Sequence, residues 1–170
     1  KHKPKKKNSF LIKKFKNLNY KYITRLNLHT QKISDYTAII AKQKKIRFVM
    51  EVFQKKFAKK HKRICIEGRD SASKILNKNP RYDVAFFFKC NLNTAAFRRW
   101  KELKKKISLK EVKKSLKIRN RLDIKRRFSP LKRVKDSVLI RTDIVSKQAM
   151  VLKMSKEIEK KLKEKHGRNL

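Results

Sequence analysis

The chain has 170 residues, 53 of them Lys or Arg against 13 Asp or Glu, for a formal net charge of +40. Such an excess repels itself and draws in polyanions, while 39% apolar content excludes a wholly disordered chain. The longest apolar run, Val84 to Phe88, is far short of the roughly 20 residues a membrane-spanning helix needs, so no membrane partner is expected.

Residues 1–34 carry eleven Lys or Arg and no acid. Lys1, Lys3, Lys5, Lys6, Lys7, Lys13, Lys14 and Lys16 make this stretch read as an extended, phosphate-contacting arm, with a solvated tail as the alternative. From Lys42 to Lys60 the apolar residues Ile46, Val49, Met50, Phe53 and Phe57 recur every three or four positions, which predicts a helix. Ile64-Cys65-Ile66, stopped by Gly68, predicts a short buried strand, and Val84–Phe88 a second one covered on both faces. Cys65 and Cys90 read as small buried hydrophobes rather than a disulfide. His2, His29, His61 and His166 have no ligand spacing with them, so no metal site is expected.

A helix is predicted from about Asn93 to Lys106, with Phe97, Trp100 and Leu103 as its apolar stripe. The next opens at Ser108, where Glu111 three residues later completes a capping box, and ends before Pro130. Ser137–Ile140 predicts a third strand. Ser146 starts a last helix with Met150, Met154, Ile158 and Leu162 on one face, and Gly167 ends it. Strands alternating with helices imply an α/β domain with a parallel sheet.

Arg119, Asp123 and Arg126 fall at i, i+4 and i+7 of the helix after Ser108, and so share one face. Two guanidiniums flanking a carboxylate suit a phosphorylated ligand, with Arg forks for the oxygens and Asp for a hydroxyl or amino donor. An ordinary surface salt-bridge ladder is the competing account of the same spacing. Gly68-Arg69-Asp70, after a predicted strand, stands where open α/β sheets bind ligands.

In order and spacing, several segments over roughly residues 28–165 resemble bacterial-type cytidylate kinase. They are Leu28-His29-Thr30-Gln31-Lys32-Ile33, Ile46-Arg47, Gln54, Gly68-Arg69-Asp70, Arg119-x-x-x-Asp123-x-x-Arg126 and Ser129-Pro130-Leu131-Lys132. The resemblance implies an α/β fold, a truncated P-loop nucleoside monophosphate kinase-like parallel sheet with flanking helices. The basic arm would cover residues 1–27 and the kinase-like domain 28–170. It further implies that Arg47, Arg69, Asp70, Arg119, Asp123 and Arg126 match positions binding cytidine monophosphate, and that Arg98 and Arg99 match an arginine-rich lid. Three residues depart from the pattern: Ala38 stands for a Ser, Asn120 for an Asp and Arg141 for an Asp. The phosphate-binding pattern Gly-x-x-x-x-Gly-Lys-Ser/Thr does not occur in the 170 residues, whose glycines are Gly68 and Gly167. A truncated kinase, inactive by itself, is the resulting expectation, with no cofactor and no catalytic residue assigned. In the family the absent strand lies between those matching residues 64–66 and 84–88, so the gap is expected to be filled by a strand from a neighbouring polypeptide, the preferred reading, or closed by the two strands pairing directly with each other.

Charge and resemblance together lead to a first functional expectation: a catalytically inactive, rRNA-binding structural protein of a mitochondrial ribosome, among neighbouring ribosomal proteins. Another organelle, or the cytoplasm of an AT-rich genome, is the alternative location. The RNA contacts would come from the basic arm with Lys104, Lys105, Lys106, Arg127 and Arg133, and base stacking from Trp100, Tyr20 and Tyr22. For Trp100, on an apolar stripe, burial is the competing role. The second expectation is one part of a split cytidylate kinase acting on CMP or dCMP with a separate loop-bearing chain.

Overall fold

A computed structural model of the chain describes residues 10, 13, 25–28, 30–61 and 63–167. The basic arm, including Lys1 to Lys7, Lys14, Lys16, Tyr20 and Tyr22, lies outside them apart from Lys13, which is exposed. The chain divides into two compact units, one comprising Lys1–Pro80 with Lys117–Lys132, the other Arg81–Leu116 with Arg133–Leu170.

In the first unit α1 spans Gln31–Ile40 and α2 Lys44–Lys60. No element is expected over α1 from the apolar pattern, yet its start is marked in the sequence: the Thr30 side chain accepts from the Ile33 N–H at 3.2 Å. The predicted helix from Lys42 matches α2, which turns Ile46 and Ala58 into the small core of this unit together with Ile75. A π-helical turn follows at Ser71–Ile75, where the Lys74 and Ile75 N–H groups both donate to the Asp70 carbonyl, at 2.9 and 3.2 Å.

The second unit holds the sheet. Phe86–Lys89 (β1) and Val138–Arg141 (β2) pair in parallel, with Phe87 opposite Leu139 and Phe88 opposite Ile140. The bonds run from Val138 N–H to Ala85 O and from Thr142 N–H to Lys89 O, each at 2.9 Å. Backbone groups alternate in direction along a strand, so those of Ala85, Phe87 and Lys89 face β2 and those of Phe86 and Phe88 face away from it. In sequence, α3, Leu92–Glu102, and α4, Leu109–Lys125, come between the two strands, the residues of α4 from Lys117 on belonging to the first unit, and α5, Lys147–His166, follows β2. Ala85, Ala96, Val112 and Ile140 are buried here.

Helix ends follow the sequence closely. Asn91 caps α3 by accepting from Thr94 N–H at 2.8 Å. Ser108 and Glu111 close the predicted capping box on α4, with Glu111 accepting from the Ser108 N–H at 3.0 Å and Ser108 Oγ from the Glu111 N–H at 3.2 Å. Ser146 caps α5, and Gly167 terminates it at φ 77°. The helix predicted to Lys106 stops at Glu102 because Lys104 and Lys105 turn left-handed, at φ 52° and 59°.

Three expectations are corrected. Ile64–Ile66 is not a strand: among the described residues it has no ladder partner, and a strand, unlike a helix, cannot satisfy its backbone from within. Cys65 is accordingly exposed rather than buried, and both cysteines are free thiols. The stripe of α3 also differs, since Ala96 is its buried residue and Phe97 is exposed. Trp100 is half-buried, its Nε1–H donating to the Ile107 carbonyl at 3.0 Å. Among the described residues no helix is long and apolar enough to cross a membrane.

Candidate functional site

Three separated stretches of the first unit converge on one cluster. Arg47, in the opening turn of α2, ion-pairs with Asp70, which begins the π turn. Arg126, just past α4, pairs with Asp123 at 2.9 Å and lies 3.6 Å from Asp70, so one guanidinium bridges both carboxylates. Arg69 completes the set, its Nε 3.4 Å from Asp123 Oδ2 and its Nη1 donating to Asn120 Oδ1 at 3.4 Å. Gly68-Arg69-Asp70 and the clamp on α4, some fifty residues apart in sequence, therefore form a single network.

The loop after α4 holds this arrangement. Leu131 N–H donates to the Asp123 carbonyl at 2.8 Å, and Arg126 Nε donates to the carbonyl of Ser129, which sits in the left-handed region at φ 52°. Before the π turn, Gly68 passes so close to Ser71 that a Cβ added to it would stand 2.3 Å from Ser71 Oγ. Both contacts belong to backbone geometry that side-chain spacing does not encode. The matched residues Arg47, Arg69, Asp70, Asp123 and Arg126 are brought together. Arg119 lies one turn before Asp123 on α4, about 6 Å along the axis, and is half-buried.

The cluster is both buried and unbalanced. Side-chain exposure is 4% for Arg126, 7% for Asp123, 11% for Asp70 and 17% for Arg47, whereas Arg69 reaches solvent at 37%. Three guanidiniums face two carboxylates, leaving one net positive charge before Arg119 is counted. Burial and the neighbouring Arg47 guanidinium pull Arg126 below the usual guanidinium range, against the opposing pull of Asp123 and Asp70. Four buried polar atoms of this region have no hydrogen-bond partner among the described residues: Arg47 Nε, Arg126 Nη2, Asp123 Oδ2 and Ser71 Oγ. Buried groups in that state are costly unless a partner arrives. Surplus positive charge and unused guanidinium donors suit a phosphate dianion.

The remaining candidates are in other surroundings. Arg98 donates to the Thr142 carbonyl at 2.7 Å beyond the end of β2, and Arg99 pairs with Glu102 at 3.1 Å, both within the second unit. Lys105 stands 5.1 Å from the Trp100 ring and Arg127 5.6 Å from that of Phe128, while Arg133 donates to the Ser137 carbonyl at 3.0 Å. Lys104 and Lys106 are exposed. At the carboxyl end of the sheet Asp143 accepts from Arg141 at 2.9 Å and Asn91 at 3.2 Å, and the Arg141 bond takes the lead in lowering its pKa to about 2. At the opposite strand ends a cavity of about 360 Å³ is lined by Arg81, Tyr82, Asp83, Asp136, Lys161 and Lys165 among others. Its charges are largely committed to one another, as in Tyr82 donating to Asp136 at 2.6 Å and Lys165 pairing with Asp83 at 2.5 Å. Spacing overlooked Ser71, Asn120 and the Ser129 carbonyl as members of the cluster. Of these, Asn120 carried a signal as a departure from the family pattern and Ser129 as part of a matching segment, whereas Ser71 carried none.

A family model described as cytidylate kinase matches residues 5–160. A cytidylate kinase of Mesomycoplasma hyopneumoniae (strain 7448) is 31% identical over 138 residues, covering 79% of this chain and 59% of the relative. One from Thermosipho melanesiensis is 30% identical over 139 residues, covering 80% and 62%. A bifunctional pantoate ligase/cytidylate kinase of Trichodesmium erythraeum is 33% identical over 123 residues, covering 70% of this chain and 22% of that protein. The chain thus spans about three fifths of the length of the curated cytidylate kinases it matches.

These findings overturn the expectation of an rRNA-binding ribosomal protein. The family match runs through most of the chain, and the relatives are named as kinases rather than as ribosomal or RNA-binding proteins. Net charge misled because it reports on solubility and non-specific attraction, whereas function resides in a site. On the matched segment, the chain belongs to the cytidylate kinase family.

Proposed function

We propose that this chain supplies the nucleoside monophosphate side of a cytidylate kinase. Arg47, Arg69, Arg119 and Arg126 take the phosphate of CMP or dCMP, and Asp70 and Asp123 order them and offer acceptors to a hydroxyl or amino donor of the nucleoside. The observation that carries this reading is the buried Arg47–Asp70–Arg126–Asp123–Arg69 network, with its surplus positive charge and unpartnered donors. In phosphoryl transfer the protein chiefly positions and neutralises the reacting groups, and these residues serve the acceptor end of that task. Arg98 and Arg99 are assigned the lid role on the family pattern alone.

The residues present do not fit a nucleoside triphosphate with its magnesium. Gly68 is closed off by Ser71 and Gly167 ends a helix, so neither glycine belongs to a loop that wraps phosphates with backbone N–H groups. No step through that group is derived from this chain. We assign the phosphate-binding loop to polypeptide beyond these 170 residues, whether in the same or a separate chain, joined by strand addition along β1 on the side away from β2.

Calorimetric titration of CMP into the purified chain tests the acceptor site. Saturable binding is expected, together with no phosphate transfer from ATP until a loop-bearing amino-terminal segment of a cytidylate kinase is added. A folded chain that takes up no CMP overturns the reading. A chain that binds CMP and transfers phosphate unaided overturns the assignment of the loop elsewhere.

A further inference from the structure

We propose that Asn120 is a specificity-setting positioning residue, which orients Arg69 without neutralising it and so leaves the network's surplus positive charge for the phosphate of the bound nucleotide. The inference rests on the acceptor-site reading above and deepens it. Of Arg47, Arg69 and Arg126, Arg69 is the most exposed, at 37%, and is held from two sides: Asp123 Oδ2 at 3.4 Å from its Nε, and Asn120 Oδ1 at 3.4 Å from its Nη1. Asn120 lies on α4 three residues before Asp123, so both contacts come from one helical face. An amide oxygen accepts this hydrogen bond as a neutral dipole, whereas a carboxylate in its place would make a charge-assisted pair.

Charge accounting shows what depends on that difference. Arg47, Arg69 and Arg126 against Asp70 and Asp123 leave +1 before Arg119 is counted, and an acid at position 120 would lower the surplus by one charge. The remaining members are largely buried and already bridge one another, which makes Arg69 the guanidinium whose state a ligand reads most directly. Position 120 is then a dial on the affinity for anions that touches neither the core nor the Arg126 bridge. The neutral residue favours a ligand whose phosphate carries two negative charges over one that carries a single charge.

The test compares CMP binding by calorimetry at low salt for the unaltered chain, Asn120→Asp and Asn120→Ser, at about pH 7.5 and about pH 5, on either side of the phosphate's second ionisation near 6. Asn120→Asp is expected to weaken CMP binding by about 10- to 100-fold at the higher pH, where a like charge faces the dianion at short range. The deficit should shrink at the lower pH, which a merely structural role for residue 120 would not produce. Asn120→Ser keeps the charge and should stay within about 3-fold, the scale of one weak neutral hydrogen bond. Asn120→Asp binding as tightly as the unaltered chain overturns the proposal, as does Asn120→Ser weakening by ten-fold or more, and the latter decides even if the Asp variant does not fold. If the unaltered chain fails to bind CMP, it is the acceptor-site reading itself that falls.

Discussion

Arg126 is the residue on which the cluster turns, since it bridges Asp123 and Asp70 while only 4% exposed. Removing one partner from a buried ion network leaves the others uncompensated, which typically costs about 3 to 5 kcal/mol. Arg126→Met is therefore expected to lower unfolding free energy by about that amount in urea titration, more than Arg69→Met, whose partner keeps Arg126 and whose side chain is solvated. Equal losses for the two variants would count against Arg126 as the keystone. Gly68 acts through contact rather than charge. Gly68→Ala crowds Ser71 Oγ, and such overpacking typically costs about 1 to 3 kcal/mol. Combining it with Ser71→Ala should recover part of the loss, a coupling that a double-mutant cycle of melting curves reads directly.

At the level of elements, the helices stand on local signals and the strands on neighbours. The Ser108–Glu111 box begins α4, and the Ser108 hydroxyl and N–H hold the Glu111 carboxyl below its ordinary pKa. A carboxyl whose folded pKa lies below the unfolded one, about 4.3, stabilises the fold above that pH and loses its contribution as pH falls through the folded value. Melting temperatures of the unaltered chain and Glu111→Gln should therefore differ near pH 6 and converge as pH falls through the folded pKa of Glu111. Strand β1 permits a separate test. The Phe88 N–H faces away from β2, so Phe88→Pro removes a donor from the side proposed to receive the loop-bearing segment while leaving the β1–β2 ladder intact. Capture of that segment should be lost in this variant and CMP affinity retained. Capture at unchanged affinity would refute strand addition at β1 without touching the acceptor site.

For the whole molecule, the charge of +40 governs conditions of stability more than identity. Much of it is spread over exposed lysines, where mutual repulsion is screened as the Debye length falls from about 30 Å at 0.01 M salt to about 8 Å at 0.15 M. The melting temperature is accordingly expected to rise with sodium chloride over that range, and further with phosphate at equal ionic strength if the arginine cluster takes up the anion. An identical rise for the two salts would argue that screening alone is at work.

Much of the fold was legible because it is local. Ser108 and Ser146, both read as helix starts, unlike the caps at Thr30 and Asn91, each cap a helix by bonding an N–H three residues on, and α2, α4 and α5 satisfy their own backbones, so caps and periodicity suffice to locate them. The same holds for Asp123 and Arg126, whose pairing within one helical turn follows from spacing. The strand expected over Ser137–Ile140 forms one residue on, as Val138–Arg141, whereas that expected over Ile64–Ile66 does not, because β-propensity describes a residue's fit to a sheet and cannot supply the partner that makes one. Likewise the Arg47–Asp70 pair spans 23 residues, Arg69 meets Asn120 across 51, and the carbonyl of Ser129 reaches Arg126 through a left-handed turn. Residue types and spacing by themselves established only that two arginines and an aspartate share one helical face. Only tertiary structure decided which guanidiniums share two carboxylates, since ion-pair geometry is set where distant segments meet and burial makes their mutual charge count.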